Sequence, residues 1–193
     1  VLEHLVERTL NQGGVKSDSP IRLIRSVSSS LPASLRSKLE STFKVPVIEI
    51  YGMTETAGVI SSQRLDRTSQ KTGSVGSTVK CRLMVVDDTG AGLSPNEVGS
   101  IWVAGEQVMA GYESIPSDSQ PFEGEWLNTG DLGYLDPEGD LFISGRKKEM
   151  INRGGEKISP IEIDELCISC PGIREAASFG VPHPTLGEEV ALA

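Results

Sequence analysis

Two short runs of nearly continuous apolar residues, separated by one amphipathic helix, restrict the front of this chain to a parallel α/β arrangement. Ile21-Arg22-Leu23-Ile24-Arg25-Ser26-Val27 alternates too little for a half-exposed strand and reads as a buried one. Val45–Ile50 is a second run of the same kind, apolar apart from Glu49. Between them, after the polar turn Ser28-Ser29-Ser30, Leu31, Leu35, Leu39 and Phe43 recur on one helical face. Strand, polar loop, helix and strand form a parallel α/β unit. Ahead of it, residues 1–12 carry Leu2, Leu5, Val6 and Thr9 at helical spacing. Asn11-Gln12-Gly13-Gly14 ends that helix, and Ser17–Pro20 reads as loop.

After about residue 65 the texture changes to glycine turns and short strands. Gly73-Ser74-Val75-Gly76, Arg82–Val86, the turn Asp87-Asp88-Thr89-Gly90 and Gly99–Ala104 predict antiparallel β, as a small barrel or twisted sheet. Asp136-Pro137-Glu138-Gly139-Asp140 reads as a hairpin turn between Gly133–Leu135 and Leu141–Ser144. Farther on, Ser159-Pro160-Ile161-Glu162 predicts a capping box with proline at the first helical position. On that helix Ile163, Leu166, Cys167 and Cys170 fall at i, i+3, i+4, i+7 and are expected to form its buried stripe. Ala176–Val181 and Glu189–Ala193 read as two further strands.

Composition narrows the partners. The chain has 193 residues, room for one full domain or parts of two. Hydrophobic content of 37% with 23% charged residues describes a globular chain rather than a disordered one. Eighteen Lys+Arg against 27 Asp+Glu give a net charge of −9. That balance argues against a nucleic-acid backbone as partner but leaves room for a small anionic ligand. No apolar run approaches a membrane span. Three cysteines, an odd number, make no disulfide framework and fit a cytoplasmic location. Cys167 and Cys170, without a second C-x-x-C or His pair, read as core thiols rather than a zinc site.

Three stretches place polar groups just after strands, where an α/β fold leaves a crevice for ligands. Tyr51-Gly52-Met53-Thr54-Glu55-Thr56 sets a hydroxyl beside a carboxylate, suited to a phosphate oxygen and its Mg²⁺, with an aromatic face for a base. Trp126-Leu127-Asn128-Thr129-Gly130-Asp131-Leu132-Gly133 presents an aspartate able to accept from two vicinal hydroxyls. Gly145-Arg146-Lys147-Lys148, followed by Arg153-Gly154-Gly155-Glu156-Lys157, puts cations before a glycine pair that allows close backbone approach. Taken singly, each also fits a blander reading: a strand-to-loop turn, a capped β-turn and a solvated basic hairpin.

Taken together and in order, the three stretches resemble the core motifs of the adenylate-forming ligases, which include acyl-CoA synthetases, luciferases and peptide-synthetase adenylation domains. Tyr51–Thr56 is similar to their Y-G-x-T-E signature, Trp126–Gly133 to their T-G-D element and Gly145–Lys157 to the stretch around their domain hinge. Gly73–Gly76 and Gly105 through Gly111-Tyr112 also match, so the resemblance covers essentially the whole chain. It implies an α/β plus β-barrel fold: the C-terminal part of the large domain, then the start of a small α+β C-terminal domain. The implied divisions are residues 1–65 (parallel α/β), 66–147 (barrel-like) and 148–193 (start of the small mobile domain).

The resemblance also implies roles. Tyr51 would stack on adenine with Gly52 beside it, Thr54 would bind the α-phosphate and Glu55 would hold Mg²⁺. Asp131 would accept the ribose hydroxyls, and Arg146 would assist at ribose or phosphate. Ser29 and Ser30 occupy the turn where many relatives have a glycine-rich, adenine-contacting loop. Lys148 sits at the hinge, and Gly154 and Gly155 would line the tunnel for a pantetheine thiol. The implied cofactors are ATP/AMP, Mg²⁺ and either coenzyme A or a carrier-protein phosphopantetheine. The implied chemistry is formation of an acyl-AMP from a carboxylic acid, followed by transfer to the thiol. The 193 residues contain neither the family's phosphate loop, of the form S-G-T-T-G-x-P-K, nor its C-terminal lysine. An internal fragment of a longer ligase, inactive alone, is therefore expected.

Within the family, Gly154–Pro160 looks more like acyl- and aryl-acid activating members than amino-acid activating ones. Arg25–Leu31 resembles the oxalate–CoA ligase subgroup. An adenylation domain loading a carrier protein is the alternative enzyme reading. A non-catalytic nucleotide-binding or interaction module is the alternative from another class.

Overall fold

The computed structural model describes residues 2–15, 19–116 and 119–193. They divide into two compact units, one of residues 1–81, 105–110 and 139–141, the other of 82–104, 111–138 and 142–193. Ser17 and Asp18, within the loop expected at Ser17–Pro20, lie outside the described residues.

The first unit carries α1 (Leu2–Asn11), β1 (Ile24–Val27), α2 (Ala33–Phe43), β2 (Val47–Tyr51), β3 (Ser61–Ser62) and β4 (Ser74–Thr78). Its core follows from the helical spacing: Leu39, Phe43 and Leu31 pack with Val47 and Val6, and Leu35 and Ile24 lie against them. β1 and β2 are parallel, Ile24 facing Val47 and Val27 facing Ile50, as a helical crossover dictates. β3 and β4 then add antiparallel to β2. β1 is shorter than the apolar run predicts. Ile21 is exposed, and β2 begins only after Pro46, so residues 21–23 have no strand beside them. Lys44 ends α2 in a left-handed conformation and donates its N–H to the Glu40 carbonyl.

A buried polar network crosses this unit. The Arg36 guanidinium donates to Glu49 Oε1 (3.1 Å), to the Val47 carbonyl (3.1 Å) and to Gln70 Oε1 (2.5 Å). Glu49 is the one charged side chain of β2, and pairing with Arg36 makes its burial tolerable.

The second unit begins with β5 (Arg82–Val86) and β6 (Gly99–Ala104), at the bounds the sequence suggests. It continues with β7 (Phe122–Glu123), β8 (Trp126–Leu135), β9 (Leu141–Arg146), β10 (Ile151–Arg153), β11 (Glu156–Ile158), α3 (Pro160–Ser169), β12 (Ser178–His183) and β13 (Gly187–Leu192). The strands run β9-β8-β6-β5 with β7 on β8, and a separate sheet runs β11-β10-β13-β12. Among the described residues no closed barrel forms; the strand order is open. Strand patterning and glycine turns report antiparallel β, but closure depends on pairing between distant strands.

α3 departs from expectation. Leu166 is 69% exposed, Cys170 is exposed and Cys167 is half-buried, so the expected stripe is not buried and the thiols are not core thiols. The half-buried face comprises Ile161, Ile163, Asp164, Cys167 and Ile168, so it keeps Ile163 and Cys167 of the expected stripe but takes Asp164 and Ile168 in place of Leu166 and Cys170. Asp164 turns inward because its carboxylate accepts from the Ser178 amide (2.6 Å), while the Ser178 hydroxyl donates to the Pro160 carbonyl (2.9 Å). The capping box is absent as well: the Ser159 hydroxyl donates instead to the Ser144 carbonyl (2.7 Å), although Pro160 does start the helix.

Candidate functional site

In the first unit the parallel pair brings two post-strand loops to one edge. Val27 and Ile50 are register partners, so Ser28-Ser29-Ser30 and Tyr51-Gly52-Met53-Thr54-Glu55 leave adjacent strands at the same level. That edge, at the C-terminal ends of parallel strands, is where open α/β sheets take ligands. Ser29 and Ser30 are exposed, and Ser28 adopts φ 79° to make the turn.

The second loop is rigid. Thr54–Thr56 form a 3-10 turn, and Ala57 closes it in the left-handed region at φ 53°. Thr56, 1% exposed, holds the turn: its hydroxyl donates to the Met53 carbonyl (3.0 Å) and accepts the Met53 amide (3.3 Å). Gly52 is required by close approach, because a Cβ there would overlap the Gly58 carbonyl. The Glu55 carbonyl accepts the Met109 amide (2.8 Å), a tie no local sequence pattern signals. The result presents the Thr54 hydroxyl to solvent with half-buried Glu55 beside it. Among the described residues no group of three His, Cys, Asp or Glu could hold a metal. One carboxylate fits a magnesium ion whose other ligands are phosphate oxygens and water.

In the second unit Thr129-Gly130-Asp131 lies inside a ten-residue strand, not at a capped turn. The β6–β8 register jumps there: Trp102 faces Asn128 and Ser100 faces Leu132, so Ile101 alone opposes three residues. Such a bulge re-aims a side chain. Gly130, at φ 78°, supplies the left-handed residue, and its amide donates to Asn128 Oδ1 (2.9 Å). Asp131, 8% exposed in its side chain, lies 3.0 Å from the Nε of Arg146, which is 59% exposed. Sequence reasoning placed both residues in one site, and the fold brings them together.

Beyond Arg146 the chain makes a tight turn over Lys147-Lys148-Glu149, with the Glu149 and Met150 amides donating to the Arg146 carbonyl. Lys148 is exposed on it. Lys147 is tied twice, its amide to the Gly130 carbonyl (2.9 Å) and its ammonium to Asp88 (2.8 Å). The ammonium's hydrogen bond and charge hold the Asp88 carboxyl below its ordinary range. Neither tie was legible, because Asp88 reads only as a turn residue. Gly154 and Gly155 form the turn of the β10–β11 hairpin, both at positive φ (62° and 96°), as a two-residue hairpin turn requires. The Gly154 amide donates to the Leu186 carbonyl (2.8 Å).

Residues 1–113 match the family model described as AMP-binding enzyme. Oxalate–CoA ligase of Arabidopsis thaliana is 42% identical over 175 residues, 90% of this chain and 34% of the relative. Sulfoacetate–CoA ligase of Cupriavidus necator is 40% identical over 193 residues, 98% of this chain and 38% of the relative. Among solved structures, o-succinylbenzoate CoA synthetase from Bacillus subtilis with its acyl-adenylate superposes at TM-score 0.85, with 32% identity over 99% of this chain and 38% of that one. The same enzyme with ATP and magnesium ion gives 0.84, with 32% identity over 99% of this chain and 39% of that one. The chain spans about a third of the length of the curated relatives it matches.

Proposed function

The chain belongs to the AMP-binding enzyme family, and from that premise we propose that it is part of an ATP-dependent carboxylic acid–CoA ligase. The observation that carries the reading is Asp131, a carboxylate aimed by a strand bulge and paired on one side with Arg146. A carboxylate accepts up to about four hydrogen bonds, enough for an arginine and for the vicinal hydroxyls that a ribose offers. Arg146 adds donors beside it, and its exposure leaves it able to turn to a ligand.

In this reading the Thr54 hydroxyl donates to an α-phosphate oxygen and the Glu55 carboxylate takes a magnesium ion. That ion would neutralise charge at phosphorus during attack by the acid. Tyr51, at the end of β2 beside Gly52, offers its ring to adenine, and the exposed Ser29 and Ser30 turn offers polar groups at the same edge. The acid's carboxylate displaces pyrophosphate to give acyl-AMP, and a thiol then displaces AMP to give the thioester. Lys148 serves as the hinge between the two steps, and the Gly154–Gly155 turn borders the thiol path.

The domain division at residues 65 and 147, the hinge and a cytoplasmic location belong to this proposal. No helix among the described residues is long and apolar enough to cross a membrane.

The test is acid-dependent pyrophosphate exchange by the full-length protein with ATP and Mg²⁺. The acid panel starts from oxalate and sulfoacetate and extends to aryl acids. Thioester formation is then followed with CoA and with a phosphopantetheinylated carrier. Exchange with one acid and thioester on CoA is the expected result. Thioester only on the carrier would select the adenylation-domain reading. Nucleotide binding without exchange for any acid would favour a non-catalytic module and refute the proposal.

A further inference from the structure

The side chain that carries the Asp131 bulge is its neighbour Thr129. In a regular ladder the Ile101 carbonyl and the Asp131 amide would each find a backbone partner across the strands. The bulge interrupts that regular exchange, because Ile101 alone faces three residues of β8. One hydroxyl meets both groups there. Thr129 Oγ1 donates to the Ile101 carbonyl (2.9 Å) and accepts the Asp131 amide (3.2 Å), and Thr129 is only 7% exposed. A buried carbonyl and a buried amide left without this hydroxyl would carry a desolvation cost, so the strand would move to relieve it. The backbone of Asp131 would move with it.

We propose that Thr129 is a positioning residue for the nucleotide ribose: its buried hydroxyl fixes the bulge and thereby aims the Asp131 carboxylate. The proposal rests on the reading of Asp131 as acceptor of the ribose hydroxyls. Thr129 itself touches no substrate. Its geometry demands a hydroxyl able to donate and accept at once, a requirement serine meets and valine does not. The Gly130 carbonyl between them accepts the Lys147 amide, so the bulge also anchors the strand carrying Arg146. Loosening it would therefore disturb both polar groups of the pair.

The readout is discrimination between ATP and 2′-deoxy- or 3′-deoxy-ATP, which a loss of fold stability alone does not move. In the full-length ligase, equilibrium binding, KM and kcat are measured for each nucleotide beside a melting curve. Charge-assisted hydrogen bonds to a ribose hydroxyl are worth roughly ten- to hundredfold in affinity. Asp131→Asn is expected to erase most of that preference, and Thr129→Val to erase a comparable part. Thr129→Val should raise KM for ATP far more than it lowers kcat. Thr129→Ser should restore the preference.

Should the valine variant fail to fold, Thr129→Ala removes the same hydroxyl without the second methyl and is read in the same way. If Asp131→Asn loses the preference while a folded Thr129→Val or Thr129→Ala keeps it, the positioning role is overturned and the ribose site stands. If Asp131→Asn keeps the preference, the ribose reading has failed, and this proposal with it.

Discussion

Substituting Gly155 separates two roles that one glycine could have, a turn residue or a gap for a passing thiol. The structure supplies the first magnitude. Gly155 sits at φ 96° with nothing within 4 Å of the position its Cβ would take. An L-residue held in the left-handed region costs about 1–2 kcal/mol, and asparagine less. Because the space around the Cβ is open, that cost depends on the backbone and hardly on side-chain size. Stability should therefore fall by about the same amount in Gly155→Ala and Gly155→Leu, and by less in Gly155→Asn. A thiol path gives the opposite dependence: obstruction grows with side-chain volume, so leucine should suppress thioester formation far more than alanine does. Adenylation should stay equal across the series. The assay is single-turnover measurement of each half-reaction in the full-length enzyme, beside thermal unfolding of every variant. If thioester formation falls equally in Ala and Leu, in step with stability, the glycine is only a turn residue and the path assignment fails. If stability itself drops steeply from Ala to Leu, the open surroundings of this turn are wrong.

Three further outcomes are expected. Asp131→Ala in the full-length enzyme should weaken ATP binding by about 2–3 kcal/mol, measured by calorimetry, with a much smaller change in melting temperature; normal binding with a large melting shift would make Asp131 purely structural. Arg36→Ala takes an ion pair and its hydrogen bond from the buried Glu49 carboxylate and should destabilise the first unit by about 1–3 kcal/mol in denaturant titrations, whereas Arg36→Met with Glu49→Met should recover much of the loss. A hydrogen bond from Arg153 holds the Glu189 carboxyl below its ordinary value. The stability this pair adds is thus present above the ordinary carboxylate range and lost as pH falls through the depressed value. Melting curves against pH should show that loss in the parent and a shallower one in Glu189→Gln; identical curves would remove the pair from the account.

The sequence by itself determined the local elements and the kinds of chemistry. Leu31, Leu35, Leu39 and Phe43 made α2 legible, because helical periodicity is written in consecutive residues and needs no partner. Arg82–Val86 and Gly99–Ala104 were legible as strands for the same reason. Tyr51–Glu55, Asp131 and Arg146 stood out because a hydroxyl beside a carboxylate, or an aspartate between glycines, has few uses other than a turn or a ligand. Tertiary structure decided which face of α3 turns inward. Asp164 meets the Ser178 amide only once β12 has docked, and that bond outweighs the apolar spacing of Leu166 and Cys170. It likewise left the strand order open, and it turned the glycine before Asp131 from a turn residue into the left-handed residue of a bulge. The physical reason is common to all three. Propensity and periodicity act over one or two helical turns, whereas a polar group's partner is chosen among everything the fold brings within 3 Å, and the Thr129 hydroxyl finds its acceptor on Ile101, a different strand.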